Sequence, residues 1–381
     1  MSSWPGKYVI GLTGNIGTGK SVVRRMLEHL GAYGIDADAL AHRAIAKGAP
    51  GYQPVIDHFG RWILTPDGEI DRAKLARVVF ADGEALARLE NIIHPLVRQG
   101  IEWLVQRSSQ KVIVIEAIKL LEAGLNKTCD SVWVTYTPPE IQLARLMQYR
   151  KMSEAEARQR IAAQPPQEQK IGAATVVIRN DGSFEETWKQ VMAAWKRLVP
   201  QTLEAAQEAH TQPRRAVPQG EITVSRGKPK DSEDIAGLIN RLRKPAKPVT
   251  REDVMAAFGE KAFLILRVGN QPGGLLGWQV ENLVARTVDI LLDTSLPASD
   301  VLPPLIEEME RSSRNLQCEA SLIFAPPELA QESLWKPLGY EKRTPQTLGV
   351  SAWQEAAVES LRPGTTLFFK QLRADRVLRP I

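Results

Sequence analysis

The chain has 381 residues, of which 43% are hydrophobic, and its formal net charge is +5. The length predicts two or three domains with substantial cores, and the absence of a signal-peptide pattern or a membrane-length apolar run predicts a cytoplasmic protein that does not engage a membrane. The positive charge suits anionic small molecules such as ATP, whereas no motif or aromatic-basic pattern supports binding of nucleic acid.

A glycine-rich loop between a predicted strand and a predicted helix is the most informative feature of the N-terminal half. The strand covers Tyr8–Leu12, the helix covers Val22–Leu30, and the loop fits the phosphate-binding pattern G-x-x-x-x-G-K-[ST]. Its glycines let backbone N–H groups turn toward phosphate oxygens, its lysine reaches the β- and γ-phosphates, and its serine hydroxyl suits Mg²⁺. The alternative, a loop that only connects strand and helix, accounts poorly for the full pattern. The residues expected to bind ATP are Gly14, Asn15, Ile16, Gly17, Thr18, Gly19, Lys20, Ser21 and Val22, with Ser21 also at the metal.

Two acids follow the second predicted strand, Ala32–Asp36. In open parallel sheets, ligands bind beyond the carboxyl ends of the strands, so Asp36 and Asp38 lie where a phosphoryl acceptor is expected. A carboxylate there can take the proton of an acceptor hydroxyl or hold a metal through water. The alternative is that one of the two only caps the next helix, and a single residue can do both. His42 lies one helical turn after Asp38, where ligand contact and a structural role are equal alternatives.

Three further predicted strands complete an α/β domain with three α/β/α layers and a five-stranded parallel sheet. The first of them ends in Glu116, at the position of a Walker-B acid, although helix capping is an equal alternative. Long helical patterns lie between the second and third strands, as crossovers in a parallel sheet require. The strands are Val112–Glu116, Ser131–Tyr136 and Thr175–Arg179, and the helices are Arg72–Val79 and Glu84–Gln106.

A helical lid is predicted over residues 139–165. Its first helix carries Arg145, and a second helix, starting at the capping pair Ser153 and Glu156, carries two more arginines. Such arginines can neutralise charge on a transferring phosphoryl group, or they can form a solvated basic face. After the last strand, the turn at Asn180 can place backbone groups against adenine, although a plain turn is an equal alternative.

The composition changes at 200–220 to a proline-rich segment without apolar periodicity, which predicts a linker. A second domain is expected over 221–381, with a mixture of strands and helices that indicates an α+β unit. Its predicted elements are the strands Ile222–Ser225, Lys261–Val268 and Leu322–Ala325, a continuous β stretch over Gly277–Leu292, and the helices Asp231–Leu242 and Val301–Asn315.

Together, the segments of residues 7–198 resemble the dephospho-CoA kinase family of P-loop kinases. The resemblance runs through this half of the chain in order and is far more specific than the phosphate loop alone. It rests on Gly11–Gly14, Ile16–Ser21, Ile35–Asp38, His58–Gly60, Asp67-Gly68, Asp71-Arg72, His94–Leu96, Glu122–Leu125, Gln142–Met147, Arg160–Gln164 and Ile178–Gly182.

The resemblance implies that ATP, with Mg²⁺, phosphorylates the ribose 3′-hydroxyl of dephospho-CoA in the last step of coenzyme A synthesis. It also implies three parts: a nucleotide core over 1–199, a CoA-binding helical region at about 39–106 within it, and the lid. By this resemblance Asp38 is the catalytic base, Lys20 and Arg145 act on the transferred phosphoryl group, and Asn180 contacts the nucleotide. The residues implied at the substrate are Asp36, His42, His94 and Glu116.

Three positions depart from the family pattern. Asn15 replaces a glycine, which asparagine can do because it tolerates left-handed geometry, His42 stands where arginine is common, and Ile118–Glu122 differs from the usual sequence. None of these changes removes a group that the chemistry needs. The alternatives are another small-molecule kinase of similar architecture and a nucleotide-binding switch, although the chain lacks the Asn-Lys-x-Asp signature of GTPases.

The second domain resembles the GNAT-type acetyltransferase fold in the order of its elements and in the segment Trp335–Glu341. The glycine-rich turn with which that fold binds the pyrophosphate of acyl-CoA is missing, because the corresponding stretch is Leu292–Ser299. Without those glycines, the backbone cannot easily approach pyrophosphate at a helix N-terminus. We therefore expect a non-catalytic domain that regulates or binds, with CoA or acyl-CoA as a possible ligand. The alternative is a bifunctional kinase with an active N-acetyltransferase domain.

Overall fold

The structure is a computed structural model that describes residues 4–199 and 220–378. The linker predicted at 200–220 therefore lies outside the described residues, apart from its last position. The chain divides into two compact units. One unit contains residues 4–34, 109–199 and 220–373, and the other contains residues 35–108 and 374–378. Among the described residues, every helix is too short or too polar to span a lipid bilayer.

The N-terminal half contains the predicted five-stranded sheet, in the order β2-β3-β1-β4-β5. β1 pairs in parallel with both β3 and β4, and β4 pairs in parallel with β5. The strands are β1 (Tyr8–Thr13), β2 (Tyr33–Asp36), β3 (Val112–Glu116), β4 (Ser131–Tyr136) and β5 (Val176–Arg179). The helices of this half are α1 (Lys20–His29), α2 (Ala37–Ala44), α3 (Tyr52–Phe59), α4 (Arg72–Ala81), α5 (Gly83–Arg107), α6 (Pro139–Arg150), α7 (Glu154–Ala162), α8 (Gln167–Gly172) and α9 (Phe184–Leu198). The predicted α/β class and all five predicted strands are confirmed.

Helices α1 and α9 cover one face of this sheet. α1 turns Val23 and Leu27, four residues apart, toward the core, and α9 contributes Val191 and Trp195 at the same spacing. They pack around Trp133, which is fully buried in β4. Burying each such side chain stabilises the fold by roughly 1.5–3 kcal/mol, so this layer holds α1, and the loop before it, in place.

The second unit contains α2, α3, α4 and α5, which surround a small apolar core that includes Val55, Leu75 and Val79. Asp71 caps α4 and Asp82 caps α5, because each side chain accepts hydrogen bonds from backbone N–H groups of the first turn. The helices predicted over 72–79 and 84–106 are confirmed. Both extend slightly further than predicted in the structure.

Residues 374–378 pack against this helical unit rather than extending into solvent. Asp375 forms an ion pair with Arg107 at the end of α5, at 2.6 Å, and Val377 is buried. A β-carbon placed on Gly100 of α5 would lie 3.5 Å from the Leu378 side chain. The segment 374–378 therefore adds to the core of a region that lies far from it in sequence.

The C-terminal domain is built on a seven-stranded mixed sheet in the order β11-β12-β10-β9-β8-β7-β6. Its strands are β6 (Ile222–Arg226), β7 (Ala262–Val268), β8 (Gln271–Glu281), β9 (Val284–Leu292), β10 (Ala320–Ala325), β11 (Glu341–Lys342) and β12 (Thr366–Gln371). Its helices are α10 (Ser232–Arg243), α11 (Arg251–Ala257), α12 (Ala298–Asn315), α13 (Glu332–Trp335) and α14 (Ser351–Ser360). Short 3-10 turns occur in both halves of the chain. They are Arg61–Ile63 and Leu125–Thr128 in the N-terminal half, and Pro229–Asp231, Pro327–Leu329, Lys336–Leu338 and Pro345–Thr347 in the C-terminal domain.

The order of these elements follows the sequence prediction of a helix, paired strands, a helix and a strand. Two helices follow the first strand, three antiparallel strands come next, and the long helix α12 leads to β10. β10 pairs in parallel with β9 only from Ala320 to Ile323, and the two strands continue beyond that pairing. The α+β class predicted for this domain is confirmed.

One sequence prediction in this domain is wrong. The stretch predicted as continuous β structure over 277–292 is a hairpin, in which β8 and β9 pair in antiparallel. Asn282 and Leu283 turn the chain between them, with positive φ values of 51° and 61°. Two successive left-handed residues are the geometry of a two-residue hairpin turn, which is usually marked by Asn-Gly. Leucine in the second position conceals that signal.

Within the first unit, the C-terminal domain contacts the kinase-like half through residues 251–260, which we call the 251–260 segment. The His29 Nε2 atom at the end of α1 lies 2.9 Å from the carbonyl oxygen of Phe258, and the two rings meet edge to face. The Arg25 guanidinium donates to the carbonyl of Glu260. Arg251 forms an ion pair with Glu185 of α9 at 3.3 Å. The segment is thus joined to both helices that cover the kinase sheet.

His29 should make this contact sensitive to acid. Burial lowers the pKa of His29 to about 3, and the nearby positive charges of Arg226 and Arg25 act in the same direction. The unfolded chain, with a histidine pKa of about 6.5, takes up this proton as the pH falls through 6.5, whereas the folded chain takes it up only near pH 3. Stability contributed by neutral His29 is therefore present above pH 6.5 and is lost as the pH falls toward 3.

We expect His29→Gln to reduce the fall in the urea unfolding midpoint between pH 7 and pH 4.5, because glutamine can still donate to the Phe258 carbonyl but does not titrate. The measurement is urea unfolding at both pH values. His58→Gln, at an exposed position on α3, is the matched control and should keep the wild-type difference. Equal pH dependence in wild type and His29→Gln would show that His29 does not titrate on unfolding.

Candidate functional site

The phosphate loop leads from β1 into α1, and its geometry requires glycine at two positions. Gly19 precedes α1 with φ 86°, and a β-carbon there would lie 1.9 Å from Asn180 Nδ2. A β-carbon on Gly14 would lie 2.2 Å from the hydroxyl oxygen of Thr135. Neither position can hold a larger residue unless its neighbours move. The helix begins at Lys20, so its positive end is directed at whatever the loop binds.

The side chains of the loop are fixed by short hydrogen bonds. The Thr18 hydroxyl lies 2.7 Å from the Asn15 carbonyl oxygen and 2.7 Å from the Thr135 hydroxyl. Lys20 is only 8% exposed, and its Nζ lies 3.3 Å from the same Asn15 carbonyl. The ammonium group of Lys20 is therefore held over the loop, where the pattern predicts β- and γ-phosphates.

The expected reason for asparagine at position 15 is wrong. Asn15 is not among the described non-glycine residues with positive φ, so left-handed geometry does not explain it. Its side-chain Nδ2 instead donates to the carbonyl of Pro165 at 2.8 Å, and the neighbouring Ile16 N–H donates to Gln164 Oε1 at 2.7 Å. The asparagine therefore fastens the end of the predicted lid to the phosphate loop.

Glu116 lies at the carboxyl end of β3 and contacts α1 with both of its oxygens. Ser21 Oγ donates to Oε1 at 2.9 Å, and Arg24 Nε donates to Oε2 at 2.7 Å. Arg24 also pairs with Glu28 at 2.8 Å. Glu116 is 4% exposed, and a buried carboxylate needs such partners. The structure thus brings together the predicted metal-binding hydroxyl and the predicted Walker-B acid.

This pair of groups fits a magnesium ion. Mg²⁺ prefers oxygen ligands and, in nucleotide sites, is held by one or two protein groups together with phosphates and water. The Ser21 hydroxyl and the Glu116 carboxylate are such groups. No cluster of three or more histidine, cysteine, aspartate or glutamate side chains able to hold a metal occurs in the described part of the chain. The donor set of Ser21 and Glu116 thus fits the predicted ion, and the metal site stays a prediction.

Arg145, on α6, is the lid arginine that reaches the phosphate loop. Its Nη1 lies 3.3 Å from the Gly17 carbonyl and 3.3 Å from the Thr137 hydroxyl. Burial lowers the pKa of Arg145 from its ordinary value, but arginine remains charged at any physiological pH. A permanent positive charge is thus placed beside the loop.

The arginines of α7 behave differently. Arg158 pairs with Glu154 at 2.8 Å and Arg160 pairs with Glu156 at 2.9 Å, and all four side chains are largely exposed. For α7, the structure therefore fits the alternative in which the lid arginines form a solvated basic face. Only the first lid helix brings its arginine to the site.

Asn180, after β5, joins the phosphate loop to α9. Its Nδ2 donates to the Thr18 carbonyl at 3.0 Å, and its Oδ1 accepts from the Thr187 hydroxyl at 3.1 Å. The residue is 6% exposed. The predicted contact of this turn with adenine stays a prediction, whereas the side chain holds the loop in shape.

Asn180→Ala should weaken both the fold and the ATP site. It leaves the Thr18 carbonyl and the Thr187 hydroxyl without these partners, which should lower the free energy of unfolding by about 1–3 kcal/mol. The Michaelis constant for ATP should rise, because the Thr18 carbonyl of the phosphate loop loses the hydrogen bond from Asn180. Thr187→Val is the matched control, since it removes the α9 end of the link and keeps the loop end. If both variants raise the Michaelis constant for ATP equally, Asn180 affects the ATP site only through the stability of the fold.

Of the residues predicted at the substrate, Asp36, His42 and His94 lie in the other unit, whereas Glu116 lies in the first unit beside Ser21. Asp36 caps α2, because its Oδ1 accepts from the Ala39 N–H at 2.8 Å, so the capping alternative holds for this residue. Asp38 lies half-buried in the first turn of α2, and His42 is exposed one turn later. His94 lies half-buried on α5, just before Pro95. The structure thus separates the roles of the two acids and leaves Asp38 as the candidate base.

Sequence reasoning missed several residues that build this site. Arg24, which fixes Glu116, lies one helical turn after Lys20, and a buried arginine is not recognisable from that spacing. Thr135 and Thr137 lie at the carboxyl end of β4 and contact the loop or Arg145. Polar β-branched residues at the end of an apolar strand, at the ligand edge of a parallel sheet, were a usable signal.

Comparisons with known proteins match the N-terminal half of the chain to one family. The family profile described as Dephospho-CoA kinase matches residues 8–186. A dephospho-CoA kinase of Geobacter sulfurreducens is 44% identical over 195 residues, which cover 50% of this chain and 99% of that protein. The crystal structure of TT1252 from Thermus thermophilus is 31% identical, with a TM-score of 0.47, and covers 51% of this chain and 98% of its own. A putative acetyltransferase, yncA from Salmonella typhimurium, solved with its cofactor acetyl-CoA, is 12% identical with a TM-score of 0.31 and covers 40% of this chain and 95% of its own.

Proposed function

The chain belongs to the dephospho-CoA kinase family, and from this we propose how its own residues transfer a phosphoryl group from ATP to the 3′-hydroxyl of dephospho-CoA. The observation that carries the proposal is the assembly of Lys20, Ser21, Glu116 and Arg145 around one phosphate loop. A transferring phosphoryl group requires positive charge and metal ligands close to it. Arg145 and Lys20 supply the positive charge, and Ser21 and Glu116 supply the oxygen ligands.

On the nucleotide side, the N–H groups of the loop and the Lys20 ammonium bind the β- and γ-phosphates. Arg145 neutralises charge on the phosphoryl group as it moves, and its position on the lid also excludes water. Ser21 and Glu116 would hold Mg²⁺, whose chemistry is to neutralise phosphate charge and orient the oxygens. These residues place the γ-phosphoryl group for in-line attack.

On the acceptor side, Asp38 is proposed to act as the base. Its carboxylate takes the proton from the 3′-hydroxyl while the hydroxyl oxygen forms a bond to the γ-phosphorus. The bond between that phosphorus and the β–γ bridging oxygen breaks, and ADP leaves with the electron pair. Asp36, His42 and His94 are proposed to contact the dephospho-CoA molecule.

The experiment that tests this function is a turnover assay of the full chain with ATP and Mg²⁺. Dephospho-CoA is offered beside shikimate and a set of nucleoside monophosphates, and ADP release is measured. We expect turnover with dephospho-CoA only. Absence of turnover with dephospho-CoA, or faster turnover of another acceptor, would support the alternative small-molecule kinase.

For the C-terminal domain, we propose a binding or regulatory role without acyl transfer. The loop before α12 ends in Pro297, which is the N-cap of the helix, and it lacks glycines that could bring the backbone to a pyrophosphate. CoA or acyl-CoA is still a ligand to test here. Incubation of the full chain with acetyl-CoA and a panel of amines should release no free CoA thiol. Time-dependent thiol release would establish the bifunctional alternative.

A further inference from the structure

The C-terminal domain contains a cavity of about 130 Å³ that opens to the surface and has both apolar and charged lining residues. Helices α10 and α11 form one side of it, and strands β7, β8 and β9 form the other. Its apolar lining includes Ile239, Val254, Phe263, Leu275 and Leu291. An apolar protein cavity of about 150 Å³ is large enough to bind benzene, so this one has room for a short aliphatic chain or a small ring.

Charged groups line one edge of the cavity. Asp289 accepts from Arg243 at 2.7 Å through one oxygen and from Lys261 through the other. Burial alone would raise the pKa of Asp289, but Lys261 and Arg243 outweigh it and hold the pKa below its ordinary value. Asp289 is therefore ionised, and its charge lies between two cations.

After these ion pairs are formed, Arg243 at this edge of the cavity still has unused N–H donors. Within the described residues, the Arg243 guanidinium has one side-chain hydrogen bond, to Asp289, and its side chain is 48% exposed. Arginine carries five N–H donors, so Arg243, which lines the cavity, keeps donors that the ion pair with Asp289 does not use. The other acid at the cavity, Asp253, has its Oδ2 engaged by the N–H and the hydroxyl of Thr250. A ligand that enters the cavity thus meets surplus donors, which suit an anionic acceptor such as a carboxylate.

The cavity and the kinase contact share one element. Asp253, Val254 and Ala257 of α11 line the cavity. The same 251–260 segment contacts the kinase half through Arg251, Phe258 and Glu260. Two of those contacts end on α1, whose first residue is Lys20 of the phosphate loop. The 251–260 segment therefore contacts both the cavity and the helix that presents the loop.

We propose that this cavity binds small apolar carboxylates and that the 251–260 segment transmits their binding to the phosphate loop. The carbon chain fills the apolar lining, and the carboxylate accepts hydrogen bonds from Arg243. This goes beyond the kinase reaction and gives the C-terminal domain a ligand class. Carboxylate binding in the cavity is independent of the proposed kinase function. The transmission to the phosphate loop rests on it, because it requires that the loop binds ATP.

The ligand class is tested by calorimetry of the full chain with isovalerate, butyrate and benzoate. Matched probes without the charge or with the opposite charge are 3-methylbutan-1-ol and isoamylamine. We expect saturable binding of at least one carboxylate and weaker binding of both matched probes. Binding of no carboxylate would overturn the proposal, and so would tighter binding of the amine.

The site is tested by substitutions on the two helices that line the cavity. Arg243→Gln should weaken carboxylate binding by roughly tenfold through loss of a charge-assisted hydrogen bond, and Ala257→Leu should block it by filling the space. Arg241→Gln, on the same helix but outside the cavity lining, is the matched control and should bind as wild type does. Unchanged binding in both Arg243→Gln and Ala257→Leu would place the ligand elsewhere.

The transmission is tested by linkage. Binding of a non-hydrolysable ATP analogue is measured with and without saturating carboxylate, and the reverse titration is measured as well. The two shifts must be equal, since coupling between sites is reciprocal, and we expect a factor of about five or more. Arg251→Ala should keep carboxylate binding and reduce this factor. If saturating carboxylate does not change the affinity of the wild-type protein for the ATP analogue, the transmission is overturned. If carboxylate binds but dephospho-CoA is not turned over, only the kinase function is overturned.

Discussion

Asp38→Asn should reduce turnover of dephospho-CoA by roughly 10²–10⁴-fold and leave the affinity for ATP close to that of the wild-type protein. The amide has nearly the same shape as the carboxylate but cannot take the proton of the 3′-hydroxyl. The nucleotide is held by a different part of the chain, the loop that ends at Lys20 and Ser21, so its binding should be unaffected. Single-turnover kinetics with saturating ATP, together with calorimetry of an ATP analogue, measure the two quantities.

The matched control is Asp36→Asn, two residues earlier. Asparagine caps helices about as well as aspartate, so the hydrogen bond to the Ala39 N–H should persist. Because Asp36 is proposed to contact dephospho-CoA, its substitution should raise the Michaelis constant for dephospho-CoA, whereas the single-turnover rate at saturation should change little. Comparable losses in the two variants would mean that the negative charge of this region matters rather than a base at position 38. Turnover of Asp38→Asn within a few-fold of wild type would assign the proton to another group.

Arg145→Ala should lower the maximal rate by roughly 10²–10³-fold, with a smaller effect on the Michaelis constant for ATP. Its guanidinium lies beside the Gly17 carbonyl, and under the proposed mechanism charge develops on the phosphoryl group beside this loop. A contact that strengthens in the transition state affects the rate more than the binding of the ground state. Steady-state kinetics over a range of ATP concentrations separate the two effects.

Arg158→Ala on α7 is the control for this prediction. Arg158 belongs to the same lid but pairs with Glu154 on the surface, and exposed ion pairs contribute little to stability. Its rate should stay within a few-fold of wild type. If both variants lose activity equally, the lid acts through its overall charge, and the special position of Arg145 has no kinetic consequence.

The phosphate loop could be predicted from sequence because its information is local. Glycines, a lysine and a serine at fixed spacing specify a backbone path and a ligand, and Gly14 and Gly19 are needed for the reasons that the pattern gives. The roles of Asp36 and Asp38 could not be separated in the same way, since either spacing allows a cap. Only the backbone geometry of the first turn of α2 shows that Asp36 is the capping residue.

Contacts between distant parts of the chain were not accessible to the sequence. His29 and the Phe258 carbonyl are 229 positions apart, and nothing near either residue identifies its partner. The cavity of the C-terminal domain is equally non-local, because Arg243 and Asp289 come from different elements and meet only when the sheet forms. The hairpin at 282–283 was missed for a local reason, since leucine occupies a position where glycine usually marks the turn.

Arg107 and Asp375, which form an ion pair, are 268 positions apart in the chain. One partner is therefore synthesised long before the other. Helix α5 leaves the ribosome long before the segment 374–378 that packs against it. At a synthesis rate of about 5–20 residues per second, the interval is on the order of ten to fifty seconds. During that interval the helical unit exists without this packing partner, while the whole seven-stranded sheet is being made. The nascent chain therefore carries an incompletely packed helical unit until residues 374–378 have been made, whereas a protein that folds from its N-terminus would already have finished that part.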